Sequence, residues 1–136
     1  MQLKTCLLVS LLVVAFASAK LTSDRSRDDA LKIATAFTRG FLKAVDAKDA
    51  ARLEKIIDPG FKYRFEGCWK SYGKDRFVKE LLAIADGFEY SVDVQRAYYS
   101  RHFIKFDVLY QNSIHQVVIN TENGLQLIDV KNLDEC

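Results

Sequence analysis

The chain has 136 residues, 20 basic and 18 acidic, for a net charge of +2, and 49% of it is hydrophobic. That length suits one domain with a real core, and near-neutral, interspersed charge gives no electrostatic footprint for nucleic acid or an anionic membrane. No internal repeat, low-complexity tract or linker divides it.

Met1–Ala19 carries Lys4 as a charged head, an apolar run from Cys6 to Ala17 and then Ala17-Ser18-Ala19, a small-x-small cleavage signal. This predicts a secretory signal peptide over 1–19 and a secreted, extracellular domain over 20–136. The apolar run is shorter than the ~20 residues of a spanning helix, and no later stretch qualifies, so no membrane span is expected. Cleavage after Ala19 leaves 117 residues and, with Lys4 gone, lowers the net charge from +2 to +1.

Ala30, Ile33, Ala34, Phe37, Phe41, Ala44 and Val45 recur at spacings of three and four and predict an amphipathic helix from about Asp28 to Asp46, with Ser26 as N-cap. Asp49 is positioned to cap a shorter second helix that buries Leu53, Ile56 and Ile57, and Asp58-Pro59-Gly60 ends it because proline disfavours helix at the residue before it. Phe61, Tyr63 and Phe65 then alternate with Lys62, Arg64 and Glu66, as in a strand with one buried face.

From Ser71 a third helix is expected, with Phe77, Val78, Leu81, Leu82, Ile84 and Ala85 on its apolar face and Asp86-Gly87 as its stop. The rest reads as strand. Phe88 to Gln95 and Ile104 to Tyr110 alternate in period two, and Ile114–Asn120 and Leu125–Lys131 flank a turn whose Asn123-Gly124 is a strong hairpin signal.

Signal cleavage would remove Cys6 and leave Cys68 and Cys136, which an oxidising compartment predicts to be paired. Such a bridge closes a long loop and is worth about 4 kcal/mol in the chain-entropy treatment. The alternative is two free or intermolecular thiols. With two histidines in the chain and no third ligand group placed near the cysteines, neither a metal site nor a cofactor is expected.

Helix, helix, strand, helix and then a run of antiparallel strands, with Phe41–Asp49, Ile57–Phe65 and the glycine-started Gly73–Leu81, resembles the nuclear transport factor 2-like superfamily over essentially all of the mature chain. The resemblance implies an α+β fold, three N-terminal helices packed in a curved, mainly antiparallel sheet shaped like a cone. It also implies a pocket at the wide end, between helix 1 and the concave sheet face. Laid without gaps against the ketosteroid isomerase pattern, the helix 1 tyrosine that donates to the substrate oxygen falls on Phe41, and the aspartate base falls on Phe65. A phenyl ring neither takes a proton nor stabilises an oxyanion, so the resemblance argues against catalysis at those positions. The third polar position of that site corresponds to His115.

Other candidates are weaker. His102 lies near a hairpin turn, Glu66, Asp93 and Asp107 fall on polar strand phases and Glu122 sits in a turn, so no carboxylate pair converges on one pocket. His115 lacks a partner in the sequence and receives no catalytic role. Phe37, Phe41, Tyr63, Phe65, Ile104, Phe106 and His115 are the expected pocket lining; such an aromatic stripe ordinarily fills a core, and any space left over suits a small hydrophobic ligand. The reading is a secreted, non-catalytic binding or structural domain. The alternatives are an isomerase, cyclase or dehydratase using His115 and a tyrosine, and a homodimer or partner-binding module using an outer sheet face with Phe103, Leu109, Val117 and Ile119 partly exposed.

Overall fold

The computed structural model describes residues 27–84, 92–110, 112–122 and 124–134. The expected leader over 1–19, the expected Ser26 cap and Asp86-Gly87 stop, Phe88 to Ser91 and Cys136 lie outside them. The apolar stripe of the first helix forms α1 over 27–46, with Ala30, Ala34, Ala44 and Val45 buried. The Asp49 N and Lys48 N donate to the Ala44 and Val45 carbonyls, at 2.9 and 3.1 Å, and Lys48 takes the left-handed turn position at φ 54° that more often belongs to glycine. Next comes α2, Ala50–Ile56, capped by an Asp49 side chain that accepts from the Arg52 N–H at 3.1 Å.

Six strands follow in one curved, open sheet: β1 Ile57–Phe65, β2 Ser71–Gly73, β3 Val92–Ser100, β4 Phe103–Tyr110, β5 Ser113–Asn120 and β6 Gln126–Asn132. Their order across the sheet is β2-β1-β6-β5-β4-β3. All neighbours are antiparallel except β1 and β6, which run parallel and close the first strand onto the last. Between β2 and β3 lies α3, Lys74–Leu82, which buries Phe77 and Val78. The expected third helix therefore starts three residues late. Ser71–Gly73 pairs with Lys62–Arg64 as an edge strand, a segment too short to show alternation. β3 extends beyond the expected Gln95 because a bulge at Arg96, φ 53°, breaks the alternation while the pairing with β4 resumes at Tyr98.

Register explains where the interior is solid. Ile57, Leu127, Ile119 and Ile104 are cross-strand neighbours in one row, each at most 3% exposed, and with Leu53 they fill one end. Towards the other end the rows become Tyr63, Val130, Val117 and Phe106, then Asn132, His115 and Val108.

The outer sheet face departs from the sequence expectation. Val117 and Ile119 are 8% and 0% exposed and point inward with His115; Leu109 and its cross-strand partner Ile114 are the exposed apolar pair, and Phe103 is half-buried. β5 is apolar on both phases, Ile114 and Val118 on one and Val117 and Ile119 on the other, so alternation alone could not orient it.

Phe77 joins the helices to the sheet. Its ring centroid lies 4.6 Å from Phe61, 5.7 Å from Tyr63 and 6.3 Å from Phe41, and the series continues to Phe37 on α1 and Tyr72 on β2. Phe77→Ala should therefore cost about 3–5 kcal/mol in denaturant unfolding. A loss below about 1 kcal/mol would show that these rings do not hold the helices in place.

Candidate functional site

The rows past Val130 and Val117 are not filled, and a cavity of about 380 Å³ lies there between α1, α3 and the concave sheet face. One wall is aromatic and aliphatic: Phe37, Phe41 and Leu42 from α1, Phe77 and Leu81 from α3, and Ile84 just after it. The facing wall is Phe106, Val108, Tyr110, His115, Val117 and Val130, with Tyr63 and Tyr72 closing one side. The size falls in the range of small-molecule pockets, which are typically apolar with a few placed polar groups.

Of the seven residues expected to line a pocket, Phe37, Phe41, Tyr63, Phe106 and His115 meet here. Ile104 does not, since it belongs to the filled row at the narrow end and is fully buried. Phe65 does not either. It lies beyond Tyr63 at the end of β1, its ring 5.2 Å from Tyr63, beside a separate groove at the β1–β2 turn that also contains Cys68 and Trp69. Phe41, by contrast, sits in the wall, stacked between Phe37 and Phe77.

The polar groups of the wall are mostly engaged with one another. Thr38 donates to the Ala34 carbonyl at 2.8 Å. The Tyr72 hydroxyl donates to Glu80 Oε2 at 3.1 Å, Arg76 pairs with Glu80 Oε1 at 3.3 Å, and the same guanidinium lies 4.8 Å over the Tyr72 ring. Burial and the Glu80 carboxylate together push the Tyr72 phenol well above its ordinary pKa. Sequence reasoning missed Tyr72 and Glu80; Glu80 follows Phe77 by three and precedes Ile84 by four, a spacing that sets it on the same face of α3.

Stacked on Tyr72 at 4.9 Å, Tyr63 accepts at its hydroxyl from Asn132 Nδ2 at 3.2 Å, a bond that uses an oxygen lone pair and not the tyrosine proton. Burial raises the Tyr63 phenol and, likewise, Tyr110. The His115 ring lies 6.3 Å from Tyr63 and 6.5 Å from Tyr110. Its Nδ1 is buried and has no hydrogen-bond partner among the described residues. Burial also lowers its pKa, an effect partly offset by the Ser113 backbone and the Asp134 carboxylate.

The remaining candidates stand apart from the cavity. His102 Nδ1 pairs with Glu122 at 3.1 Å at the β4–β5 end, Glu66 faces Lys131 at 3.7 Å, and Asp93 is exposed and accepts from Gln95 at 2.6 Å. Among the described residues no group of three or more histidines, cysteines or acids could hold a metal ion, and no helix is long and apolar enough to cross a membrane. Of the expected Cys68–Cys136 pair, only Cys68 lies within the described residues.

Residues 31–134 match the NTF2-like domain, and the chain belongs to that family. Among solved structures it is similar to an NTF2-like protein of unknown function from Silicibacter pomeroyi, at 13% identity over 77% of this chain and 95% of that one, with a TM-score of 0.64. A ketosteroid isomerase-like protein from Erwinia carotovora atroseptica matches at 12% identity over 76% and 94%, TM-score 0.54. So does a de novo designed protein with a curved β-sheet, at 16% identity over 76% and 98%, TM-score 0.54. At these identities the likeness is one of fold. A comparison with curated protein sequences finds no match.

Because the folded pKa of His115 is below its ordinary 6.5, the unfolded chain binds a proton between those two values that the folded chain does not. Stability from this group is therefore intact above 6.5 and declines as pH falls through that window. Thermal unfolding of His115→Phe should change less than wild type between about pH 7 and about pH 5. Identical pH slopes would place the imidazole in water.

Proposed function

We propose that this NTF2-like domain binds a small, largely apolar molecule in the cavity between α1, α3 and the concave sheet face, and does not transform it. The supporting observation is the cavity itself. It is open and apolar, the sequence resemblance puts Phe41 where an isomerase of this fold has a proton donor, and Glu80, the one carboxylate in its wall among the described residues, is already engaged by Tyr72 and Arg76. A general base needs an uncommitted lone pair aimed at the substrate.

The proposal includes export through the leader over 1–19 and a Cys68–Cys136 bridge. Sheet pairing supports the bridge: Phe65 and Asn132 are partners on parallel strands, and the Glu66 N–H donates to the Asn132 carbonyl at 2.9 Å. In the sequence Cys68 follows Phe65 by three residues and Cys136 follows Asn132 by four. A second reading, an interface between copies, is favoured by the exposed Leu109 and Ile114 pair on the outer face.

Titration with the uncharged dye N-phenyl-1-naphthylamine should give saturable, one-to-one fluorescence enhancement. Val108→Phe, which places a ring in the cavity, should weaken binding at least about tenfold while the protein still melts cooperatively. Absent or non-saturable binding would contradict the binding reading. Intact mass of protein collected from the culture medium should begin at Lys20 and be two hydrogens lighter than the reduced chain; a retained leader or a full complement of thiol hydrogens would contradict export or the bridge respectively.

A further inference from the structure

Resting on that binding reading, we infer that Tyr72 and Glu80 form an organic-cation subsite in the cavity wall, occupied at rest by the Arg76 side chain and open to a ligand that carries a protonated amine or guanidine on an apolar body.

The protein already holds a cation at this place. The Arg76 guanidinium lies 4.8 Å over the Tyr72 ring, its Nε pairs with Glu80 Oε1 at 3.3 Å, and Glu80 Oε2 accepts from the Tyr72 hydroxyl at 3.1 Å. A ring face beside a carboxylate is an arrangement that recognises ammonium and guanidinium groups, the ring through its quadrupole and the carboxylate through charge-assisted hydrogen bonds. Tyr72 and Glu80 both line the cavity, whereas Arg76 is not among the lining residues and its side chain is 67% exposed. An exposed ion pair spaced by four residues on one helix contributes little, so Arg76 is a displaceable occupant. A ligand cation that takes its place leaves Glu80 engaged, which keeps this carboxylate from serving as a base.

The charge around the rest of the cavity has the same sign preference. The described lining contains no lysine or arginine to receive a carboxylate or phosphate. Glu80 and Asp134 both push the Tyr63 phenol upward, so the fixed charges felt at that wall are negative, and burial keeps His115 uncharged at neutral pH. Tyr63, stacked on Tyr72 at 4.9 Å, and Phe77 beyond it supply apolar ring surface for the body of the same ligand.

Displacement of N-phenyl-1-naphthylamine at pH 7.5 by three ligands that share one ring system tests the subsite: 1-naphthylmethylamine, which is protonated, 1-ethylnaphthalene, which is its neutral isostere, and 1-naphthylacetate. Wild type should bind the amine at least about tenfold more tightly than the acetate. Glu80→Gln, which keeps an acceptor for the Tyr72 hydroxyl, should weaken the amine about tenfold and leave 1-ethylnaphthalene unchanged. Arg76→Gln, which empties the subsite, should tighten the amine severalfold, a gain that a merely structural role for Arg76 would not produce. Acetate binding as tight as or tighter than the amine in wild type, an unchanged amine-to-ethyl ratio in Glu80→Gln, or amine binding unchanged or weakened in Arg76→Gln would overturn this inference and leave the binding reading standing. Failure of the dye and of all three ligands to bind would overturn the binding reading itself. The wild-type preference between amine and acetate decides the matter even where neither variant folds.

Discussion

The ring of Phe77 is the contact on which the rest of the interior depends. A helix lying across a sheet can bury its stripe only at a spacing set by the side chains between them. Here that spacing is set by Phe77 meeting Phe61 and Tyr63 on β1 and Phe41 on α1. Rings are stiff and offer few rotamers, so a series of them fixes the distance more firmly than aliphatic chains of equal volume. Phe37 and Tyr72 extend the series one turn along the same face of α1 and to the edge strand.

That fixed distance produces two unlike ends. Where the sheet row is Ile57, Leu127, Ile119 and Ile104, aliphatic side chains and Leu53 fill the gap completely. Where the row is Asn132, His115 and Val108, the same gap is wider than the side chains that face it, and about 380 Å³ remains. The cavity is a consequence of sheet curvature and of the Phe77 spacing. Its polar groups form two clusters, Tyr72 with Glu80 and Arg76 and Tyr63 with Asn132 and His115, joined by the stacked Tyr63 and Tyr72 rings.

Element order and most of the helices were legible in the sequence because period 3.6 and period 2 are strong signals in α1, β1 and β4. The Asp49 cap could be read from one residue type at one position. Three features could not. β2 is three residues long and carries no alternation, and the Arg96 bulge interrupts it in β3. The facing of β5 was ambiguous because both its phases are apolar, which put Val117 and Ile119 on the wrong side. At the site, Phe37, Phe41, Tyr63, Phe106 and His115 could be grouped from helix and strand phase, but phase does not say how far along the cone a residue lies. Ile104 shares its phase with Phe106 and sits at the filled end; Phe65 shares its phase with Tyr63 and its row with Asn132 and His115, but lines the groove at the β1–β2 turn instead. The engagement of Glu80 by Tyr72 depends on α3 meeting an edge strand that local pattern does not reveal.

A methyl-resolved NMR titration with N-phenyl-1-naphthylamine decides whether the open end of the cone is a ligand site. Resonances of Val108, Val117, Val130 and Leu81 should shift in a saturable way, while those of Ile57 and Ile104 at the filled end and of Leu109 and Ile114 on the outer face stay in place. Shifts centred on Leu109 and Ile114, with the cavity methyls unmoved, would show that the working surface is the outside of the sheet and that the hollow is only a by-product of its curvature.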